Sequence, residues 1–142
     1  MSRVKSILYC ILLLLAVGKA QANGHYEVVA HPDIHQETIS VNVLRAIFSM
    51  RMKTWPNGHL IKVFVLPDDH PLHNDFAKEK LSVFPYQLRS TWDRLVFSGT
   101  GQAPIRVSSN EEMLKKIANT PGAIGYLETV YINNDLHVLK IK

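Results

Sequence analysis

The stretch LIKVFVLPDDHPLHNDFAKEKL, residues 60–81, decides the fold class because it changes from a strand pattern to a helix pattern across one short turn. Its first seven residues, 60–66, are almost continuously apolar and predict a buried β-strand. Pro67, Asp68 and Asp69 end that strand. A helix is expected to start near Pro71, because a proline in the first helical turn lacks only an N–H that would have no partner there. The apolar side of this helix is formed by Leu72, Phe76, Ala77 and Leu81.

The same alternation of strand and helix continues on both sides of this stretch. Upstream, Tyr26–Ala30 predicts a strand and residues 41–50 predict a helix, with Ser40 as its N-cap. Downstream, a third helix follows Pro85 and is expected to end at Gly99. The apolar stripe of that third helix consists of Leu88, Trp92, Leu95 and Val96.

A fourth helix is expected between two further strands. Residues 105–107 predict a short strand, and Ser109 and Glu112 have the spacing of a capping box that opens the helix. Residues 123–126 predict the next strand. Gly125 within it indicates a close approach of the backbone rather than ordinary strand packing.

The end of the chain has the alternation of a β-hairpin. Residues 130–132 and 136–141 flank a turn-forming Asn133-Asn134-Asp135. Trp55 and Trp92 are expected to pack in the core rather than to stack on a ligand. Strands that alternate with helices predict an α/β fold with a mixed sheet flanked by about four helices.

The first 22 residues have the three zones of a secretory signal peptide. Arg3 and Lys5 form a basic start, residues 7–17 form an apolar run, and Ala20-Gln21-Ala22 has the small-residue pattern of a cleavage site. A membrane anchor is the alternative, but a spanning helix needs about 20 apolar residues. We therefore expect a cleaved signal peptide over residues 1–22, a single domain over residues 23–142, and a periplasmic location.

Charge and cysteine content exclude several classes of protein. The chain has 16 Lys plus Arg and 12 Asp plus Glu; residues 1–22 hold three of the basic residues and none of the acidic ones, which leaves 13 against 12, or +1. No basic stripe remains, so we expect no nucleic-acid partner and no membrane insertion after cleavage. Cys10, the single cysteine, lies in the predicted signal, so the domain has no thiol nucleophile.

Catalytic motifs are missing from this sequence. It contains no G-x-S-x-G elbow, H-E-x-x-H pair or P-loop, so we expect a protein that is not an enzyme. His70 and His73 would share one face of a helix beside Asp69, which is feasible metal-ligand chemistry, whereas a proline interrupts His31 and His35. Since a closed metal site needs about four ligands, solvent-exposed polarity is the favoured interpretation, and we expect no metal and no cofactor.

Several short segments occur in an order that resembles a known family. They are Leu44-Arg45-Ala46-Ile47-Phe48, Trp55-Pro56-Asn57-Gly58, Phe76, Trp92, Phe97-Ser98-Gly99, Glu112-Met113 and Pro121-Gly122-Ala123-Ile124-Gly125-Tyr126. Their order and spacing over residues 28–127 resemble the periplasmic phosphate-binding proteins of ABC transporters. In that family two α/β lobes clamp the anion. The resemblance therefore implies a single lobe of the type II periplasmic-binding-protein fold, because this chain has the length of about one lobe.

The resemblance also implies where a ligand would lie. In that family an Arg, an acidic residue that accepts a phosphate proton, and a Ser-Gly-Thr that opens a helix hold the anion; a helix N-terminus favours anions. In this sequence Leu66 stands at the position of the Arg, Asp68 at the acidic position, and His70-Pro71-Leu72 replaces Ser-Gly-Thr. A Ser98-Gly99-Thr100 occurs elsewhere, but at the C-terminal end of a predicted helix, which repels anions.

The resemblance implies a solute-binding or sensing accessory related to phosphate ABC transporter substrate-binding proteins, in the periplasm of a Gram-negative bacterium. Its ligand, a small oxyanion or another small solute, is expected at Asp68, Asp69, His70 and His73. The alternative is a non-enzymatic interaction module. Such a module would be half of a clamp that docks on an envelope or sensor protein, or on a second copy of itself as a homodimer.

Overall fold

A mixed β-sheet forms the centre of the computed structural model, which describes residues 25–142. Within these residues the strands are β1 (Tyr26–Ala30), β2 (Thr38–Ile39), β3 (Lys62–Val65), β4 (Ile105–Arg106), β5 (Ala123–Glu128) and β6 (His137–Ile141). They lie in the order β2-β6-β1-β5-β3-β4. β1 pairs antiparallel with β5 and β6, while β3 pairs parallel with β4 and β5. The predicted mixed sheet is therefore confirmed.

Four α-helices accompany this sheet in the described part of the chain. They are α1 (Val41–Phe48), α2 (Pro71–Lys80), α3 (Pro85–Phe97) and α4 (Asn110–Asn119). The predicted signal peptide lies outside the described residues. Between residues 25 and 142, none of the helices combines the length and apolar character that crossing a membrane requires.

The helix caps follow the predicted chemistry with one displacement. Ser40 Oγ accepts a hydrogen bond from the N–H of Val43 at 3.1 Å, and Ser109 Oγ accepts one from the N–H of Glu112 at 3.2 Å. The Glu112 carboxylate, however, accepts from the N–H of Ser108 at 2.8 Å rather than from Ser109. The reciprocal bond of the predicted capping box is therefore made with the N–H of Ser108, one residue before the N-cap Ser109.

The core lies between the sheet and the helices and contains both tryptophans, as predicted. Trp92 is fully buried and its indole N–H donates to the carbonyl of Phe48 at 2.8 Å. Trp55 donates to the carbonyl of Gly122 at 2.9 Å. Because each buried indole N–H has a partner, both residues act as structural anchors.

Gly125 on β5 lies under α4, and the room for a side chain there is already filled. A Cβ at this position would come 2.7 Å from Ile117 Cδ1 and 2.7 Å from Met113 Sδ. The close approach predicted from the sequence exists, and it is made chiefly by side chains of α4.

Two predictions about the ends of elements are wrong. Residues 130–132 do not pair with the last strand, because Thr129–Tyr131 forms a 3-10 turn and β6 pairs with β1 and β2 instead. The apolar stripe of α3 is buried only as far as Trp92, since Val96 lies beyond the core contact and is exposed.

Four elements are also shorter than predicted. β4 covers Ile105–Arg106 rather than residues 105–107, and β6 starts at His137 rather than at residue 136. α1 ends at Phe48 rather than at residue 50, because Met50 adopts a left-handed φ of 64°. β3 covers Lys62–Val65 rather than residues 60–66, and Leu60 forms an isolated bridge with Thr54.

Candidate functional site

The β3–α2 junction, residues 66–73, lies where the parallel strands β3 and β5 end; we call this side of the sheet the carboxyl edge. β3 ends at Val65 and α2 begins at Pro71. The turn between them is closed by the N–H of His70, which donates to the carbonyl of Pro67 at 2.9 Å. In open α/β sheets ligands bind outside the carboxyl ends of the strands. The junction is therefore the candidate ligand-binding site of this fold.

Asp68 is held at the junction by an arginine from α3. Arg89 Nε donates to Asp68 Oδ2 at 2.8 Å, and Arg89 Nη2 donates to Asp68 Oδ1 at 3.0 Å. These hydrogen bonds lower the pKa of Asp68 against the opposing effect of burial. Asp68 therefore stays ionised and can only accept hydrogen bonds. A second acidic residue, Asp93, lies 3.6 Å from Arg89 Nη1, so the guanidinium is shared between two carboxylates.

The N-terminus of α2 is closed by its own residues. His70 Nδ1 accepts the hydrogen bond of the Leu72 N–H at 3.1 Å, and the His70 carbonyl accepts that of the Asn74 N–H at 3.1 Å. Pro71 has no N–H to offer. Of the N–H groups that make a helix N-terminus attractive to an anion, those of Leu72 and Asn74 are therefore occupied, and Pro71 has none.

His73 is fully buried and stands at the end of a hydrogen-bonded chain. The N–H of Leu66 donates to the Tyr126 hydroxyl at 2.9 Å, and that hydroxyl is hydrogen-bonded to His73 Nδ1. Because the hydroxyl oxygen accepts from Leu66, we assign its proton to the bond with Nδ1, which places the proton of a neutral His73 on Nε2. Burial lowers the pKa of His73, in agreement with a neutral ring.

The Nε2 atom of His73 has no hydrogen-bond partner among the described residues. It lies 4.0 Å from Asp68 Oδ1, which is too far for a direct hydrogen bond. A buried donor aimed at a partly exposed carboxylate is uncommon in a folded protein. His73 and Asp68 are therefore the pair of predicted site residues that the structure brings together.

The other two predicted site residues lie apart from this pair. The side chain of His70 caps α2, and Asp69 is exposed. His70 and His73 thus face different groups, and residues 25–142 contain no cluster of three or more His, Cys, Asp or Glu able to hold a metal ion.

His31, from the other histidine pair considered in the sequence, belongs to a different cluster. Its Nδ1 lies 2.7 Å from Asp33 Oδ1, while His59 Nδ1 lies 3.0 Å from Asp33 Oδ2. The N–H of Gly122 donates to the same carboxylate at 3.2 Å. Asp33 therefore joins three separate loops, which is a structural role.

Two residues of the junction were missed in the sequence, and the burial of a third was overlooked. Arg89 and Tyr126 lie 21 and 58 positions after Asp68, so no local pattern connects them with it. His73 did carry a signal, because it precedes the buried Phe76 and Ala77 by three and four positions, which places it on the same face of α2.

A cavity of about 470 Å³ lies at the opposite end of the same strands, which we call the amino edge. This amino-edge groove is lined by Met50, Met52, Lys53, Leu60, Ile61, Lys62, Val63, Gly99, Thr100, Gly101 and Gln102. Lys62 and Val63 are the first residues of β3, and residues 99–102 lead into β4. The cavity is therefore separate from the β3–α2 junction.

Solved structures of phosphate receptors share this fold. An ABC-type phosphate transport receptor from Vibrio cholerae has a TM-score of 0.64 and 11% identity, covering 82% of this chain and 45% of the receptor. A putative phosphate ABC transporter substrate-binding protein from Clostridium perfringens, with bound phosphate, has a TM-score of 0.64 and 14% identity over 82% of this chain and 44% of that protein. PstS from Borrelia burgdorferi has a TM-score of 0.63 and 18% identity over 82% and 47%.

No protein-family model and no curated protein matches the chain. The structural matches confirm, at the level of the fold, the resemblance seen in the sequence. The chain spans less than half the length of each of these three receptors. It thus has the fold of one periplasmic-binding-protein-like (PBP-like) lobe.

Proposed function

From the fold of a single PBP-like lobe, shared with phosphate ABC transporter substrate-binding proteins, we propose that this chain is a non-enzymatic solute-binding or sensing accessory. It is exported by residues 1–22 and works in the periplasm of a Gram-negative bacterium. Its ligand binds at the β3–α2 junction, where it contacts Asp68 and His73.

The buried, unpartnered Nε2 of His73 is the observation that carries this proposal. Leaving a buried donor without a hydrogen bond costs about 1–3 kcal/mol. A solute that accepts a hydrogen bond from Nε2 would remove this penalty, and Asp68, whose Oδ1 lies 4.0 Å from Nε2, can accept a hydrogen bond from the same solute. A hydroxyl or a protonated oxygen has both capacities.

A phosphate dianion does not fit this arrangement. Arg89 is already bonded to Asp68, and the Leu72 N–H is bonded to His70. The ionised Asp68 repels a second negative charge. The junction therefore favours a small neutral solute that donates a hydrogen bond to Asp68 and accepts one from His73.

Thermal melting of the purified protein tests the proposal with phosphate, sulfate, small polyols, zinc and copper. A ligand at a hundredfold excess over its Kd stabilises the folded state by about 2.7 kcal/mol. We expect a hydroxyl-bearing solute to raise the Tm of the protein, and Asp68→Asn to abolish that rise. Asp69→Asn is the matched control and should keep it, because its carboxylate lies on the surface. Stabilisation by zinc or copper alone would contradict the proposal.

An interaction module is the second candidate, and exposed apolar residues at the end of α3 favour it. Phe97 is 88% exposed and Val96 is 51% exposed. A pull-down from envelope extract and sedimentation of the purified protein test this candidate. Phe97→Ser should weaken binding of a partner or of a second copy, whereas Val130→Ser, an equally exposed apolar site (85%), should not. Equal effects of both variants would argue against a surface at α3.

A further inference from the structure

We propose that the amino-edge groove binds an amphipathic organic anion, with one negatively charged head and an alkyl or aryl body. The inference does not depend on the function proposed for the β3–α2 junction, because the two lie at opposite ends of β3. Its volume of about 470 Å³ is within the range of small-molecule sites. Its chemistry indicates the class of ligand.

One part of the groove is an apolar wall. It is built from Met50, Met52, Leu60, Ile61 and Val63. Leu60 is 60% exposed. An apolar ligand that covers this side chain would remove it from water, which stabilises the complex. The flexible thioethers of Met50 and Met52 can adapt to bodies of different shape. A purely polar solute would make few favourable contacts with this apolar wall.

Positive charge borders the apolar wall. Lys53 and Lys62 both line the groove, and none of the lining residues is acidic. Among residues 25–142 the ion pairs involve other groups, so neither lysine is neutralised by a carboxylate. A ligand with a single anionic head next to an apolar body complements this distribution of charge.

Hydrogen bonds fix the apolar wall within residues 53–61, a hairpin in which Thr54 and Leu60 form an isolated bridge. The N–H of Ile61 donates to the carbonyl of Lys53 at 2.9 Å, and the N–H of Trp55 donates to the carbonyl of His59 at 2.8 Å. The buried indole of Trp55 anchors this hairpin through Gly122. A preformed wall reduces the entropy lost on binding.

The opposite wall, residues 99–102, is fixed against α3. The N–H groups of Thr100 and Gly101 both donate to the carbonyl of Leu95, at 3.1 and 3.2 Å. A Cβ on Gly101 would lie 3.3 Å from Leu95 Cβ, so this loop packs closely on the helix. Because these two N–H groups are occupied, they are not available to the anionic head, and the ammonium groups of Lys53 and Lys62 supply the positive charge that would recognise it.

Isothermal titration calorimetry of the purified protein tests the groove with octanoate, octan-1-ol and acetate, each below its aggregation limit. Octanoate combines the charge and the apolar body, whereas each of the other two probes has one of them. We expect saturable one-to-one binding of octanoate, at least about tenfold tighter than that of either other probe; tenfold corresponds to about 1.4 kcal/mol. Octanoate binding that does not saturate, or that is no tighter than acetate or octan-1-ol, would overturn the inference.

Variants locate the binding. Lys53→Gln with Lys62→Gln should weaken octanoate at least tenfold and change octan-1-ol less than twofold. Leu60→Asp, at a position whose side chain is 60% exposed, should abolish octanoate binding. Lys78→Gln with Lys116→Gln removes two exposed lysines outside the groove and should have no effect. Unchanged octanoate affinity in the groove variants would refute the inference.

Asp68→Asn distinguishes this groove from the β3–α2 junction. It should leave octanoate binding unchanged while abolishing any binding at the junction. If octanoate binding is lost in Asp68→Asn but kept in the Lys53→Gln, Lys62→Gln variant, the anion binds at the carboxyl edge. That result would contradict the proposed binding in the amino-edge groove.

Discussion

The two ends of β3 present charged residues in opposite ways. At the carboxyl edge, Asp68 is bonded to Arg89, and the start of α2 is capped by His70. At the amino edge, Lys53 and Lys62 border a cavity and have no carboxylate partner among the described residues. The end of the sheet at which this fold usually binds ligands thus has fewer free donors for an anion than the opposite end.

This difference indicates that the pairing of charged groups, rather than their number, sets how many donors each edge of the sheet leaves free for a ligand. A guanidinium that bonds a carboxylate on its own protein has already used the fork of donors that an oxyanion would need. At the β3–α2 junction the Arg89 guanidinium and the Leu72 N–H are bonded within the protein, and His73 Nε2 is left without a partner among the described residues.

The largest effect that we predict tests the rigidity of the amino edge. Gly122→Ala should destabilise the protein by about 4 kcal/mol, because it combines overpacking with a left-handed backbone. Gly122 has φ +77°, and a Cβ there would lie 2.1 Å from the carbonyl oxygen of Leu60. Urea denaturation measures the loss.

Gly58→Ala is the control for this substitution. Gly58 has φ +87° but no atom within 4 Å of its Cβ position. It should therefore lose only about 1 kcal/mol, the cost of the left-handed backbone alone. Equal losses at the two glycines would show that contact with Leu60 does not hold the amino edge.

The next largest effect tests the hydrogen-bonded chain at the carboxyl edge. Tyr126→Phe should destabilise the protein by about 3 kcal/mol, because it leaves two buried groups unpaired, the Leu66 N–H and His73 Nδ1. Tyr86→Phe removes a hydroxyl from a side chain that is 69% exposed and should change stability by less than about 0.5 kcal/mol. A small loss in Tyr126→Phe, measured by urea denaturation, would contradict the assigned chain.

Local patterns in the sequence predicted most elements of this fold. α2 was predicted to start near Pro71 and does start there, and the spacing of apolar residues identified its buried face. The tail was mispredicted because its partner, β1, lies more than 100 residues earlier: Ala30 pairs with His137. An alternating pattern indicates a strand but does not specify which strand it pairs with.

The sequence pointed to the β3–α2 junction but not to the contacts of its side chains. Asp68 was singled out because it stands at the acidic position of the family that the sequence resembles, yet its bond to Arg89 depends on how α3 packs beside α2. The contact of Tyr126 with the junction likewise depends on the packing of distant elements, because Tyr126 lies on β5 and its hydroxyl accepts from the N–H of Leu66. Contacts between distant elements decide whether a donor is free, and a single sequence does not encode them in a local pattern.

The pH dependence of stability provides a smaller effect at the carboxyl edge. Burial lowers the pKa of His73 below the value in the unfolded chain, which is about 6.5. The unfolded chain therefore binds the proton first as the pH falls, so the stabilisation is complete above about pH 6.5 and decreases at lower pH, by up to about 1.4 kcal/mol per pH unit.

Urea denaturation between pH 7.5 and 5 checks this dependence. His73→Gln should remove most of the decrease, whereas His35→Gln, at an exposed position, should keep it. An unchanged slope in His73→Gln would show that another group titrates.

The smallest effect concerns the ion pair of Asp68. Asp68→Asn should destabilise the protein by about 0.5–1 kcal/mol at pH 7, because the pair is partly exposed and solvent screens it. The side chains of Asp68 and Arg89 are 40% and 35% exposed.

The contribution of Asp68 depends on pH in a defined direction. Since its pKa is lowered in the folded state, this stabilisation is present above about pH 4 and is lost as the pH falls through the folded pKa. Thermal melts from pH 7 to 2.5 should show a weaker acid dependence in Asp68→Asn than in the wild type. An identical acid dependence would contradict the proposed pair.

Calorimetric titration of the purified protein with inorganic phosphate at pH 8 and low salt tests whether the β3–α2 junction fails to bind a doubly charged oxyanion. At this pH phosphate is mainly a dianion, the Arg89 guanidinium and the Leu72 N–H are bonded to groups of the protein itself, and the ionised Asp68 repels a second anion. We expect no saturable heat. Saturable one-to-one binding of phosphate that is lost in Asp68→Asn would contradict this expectation.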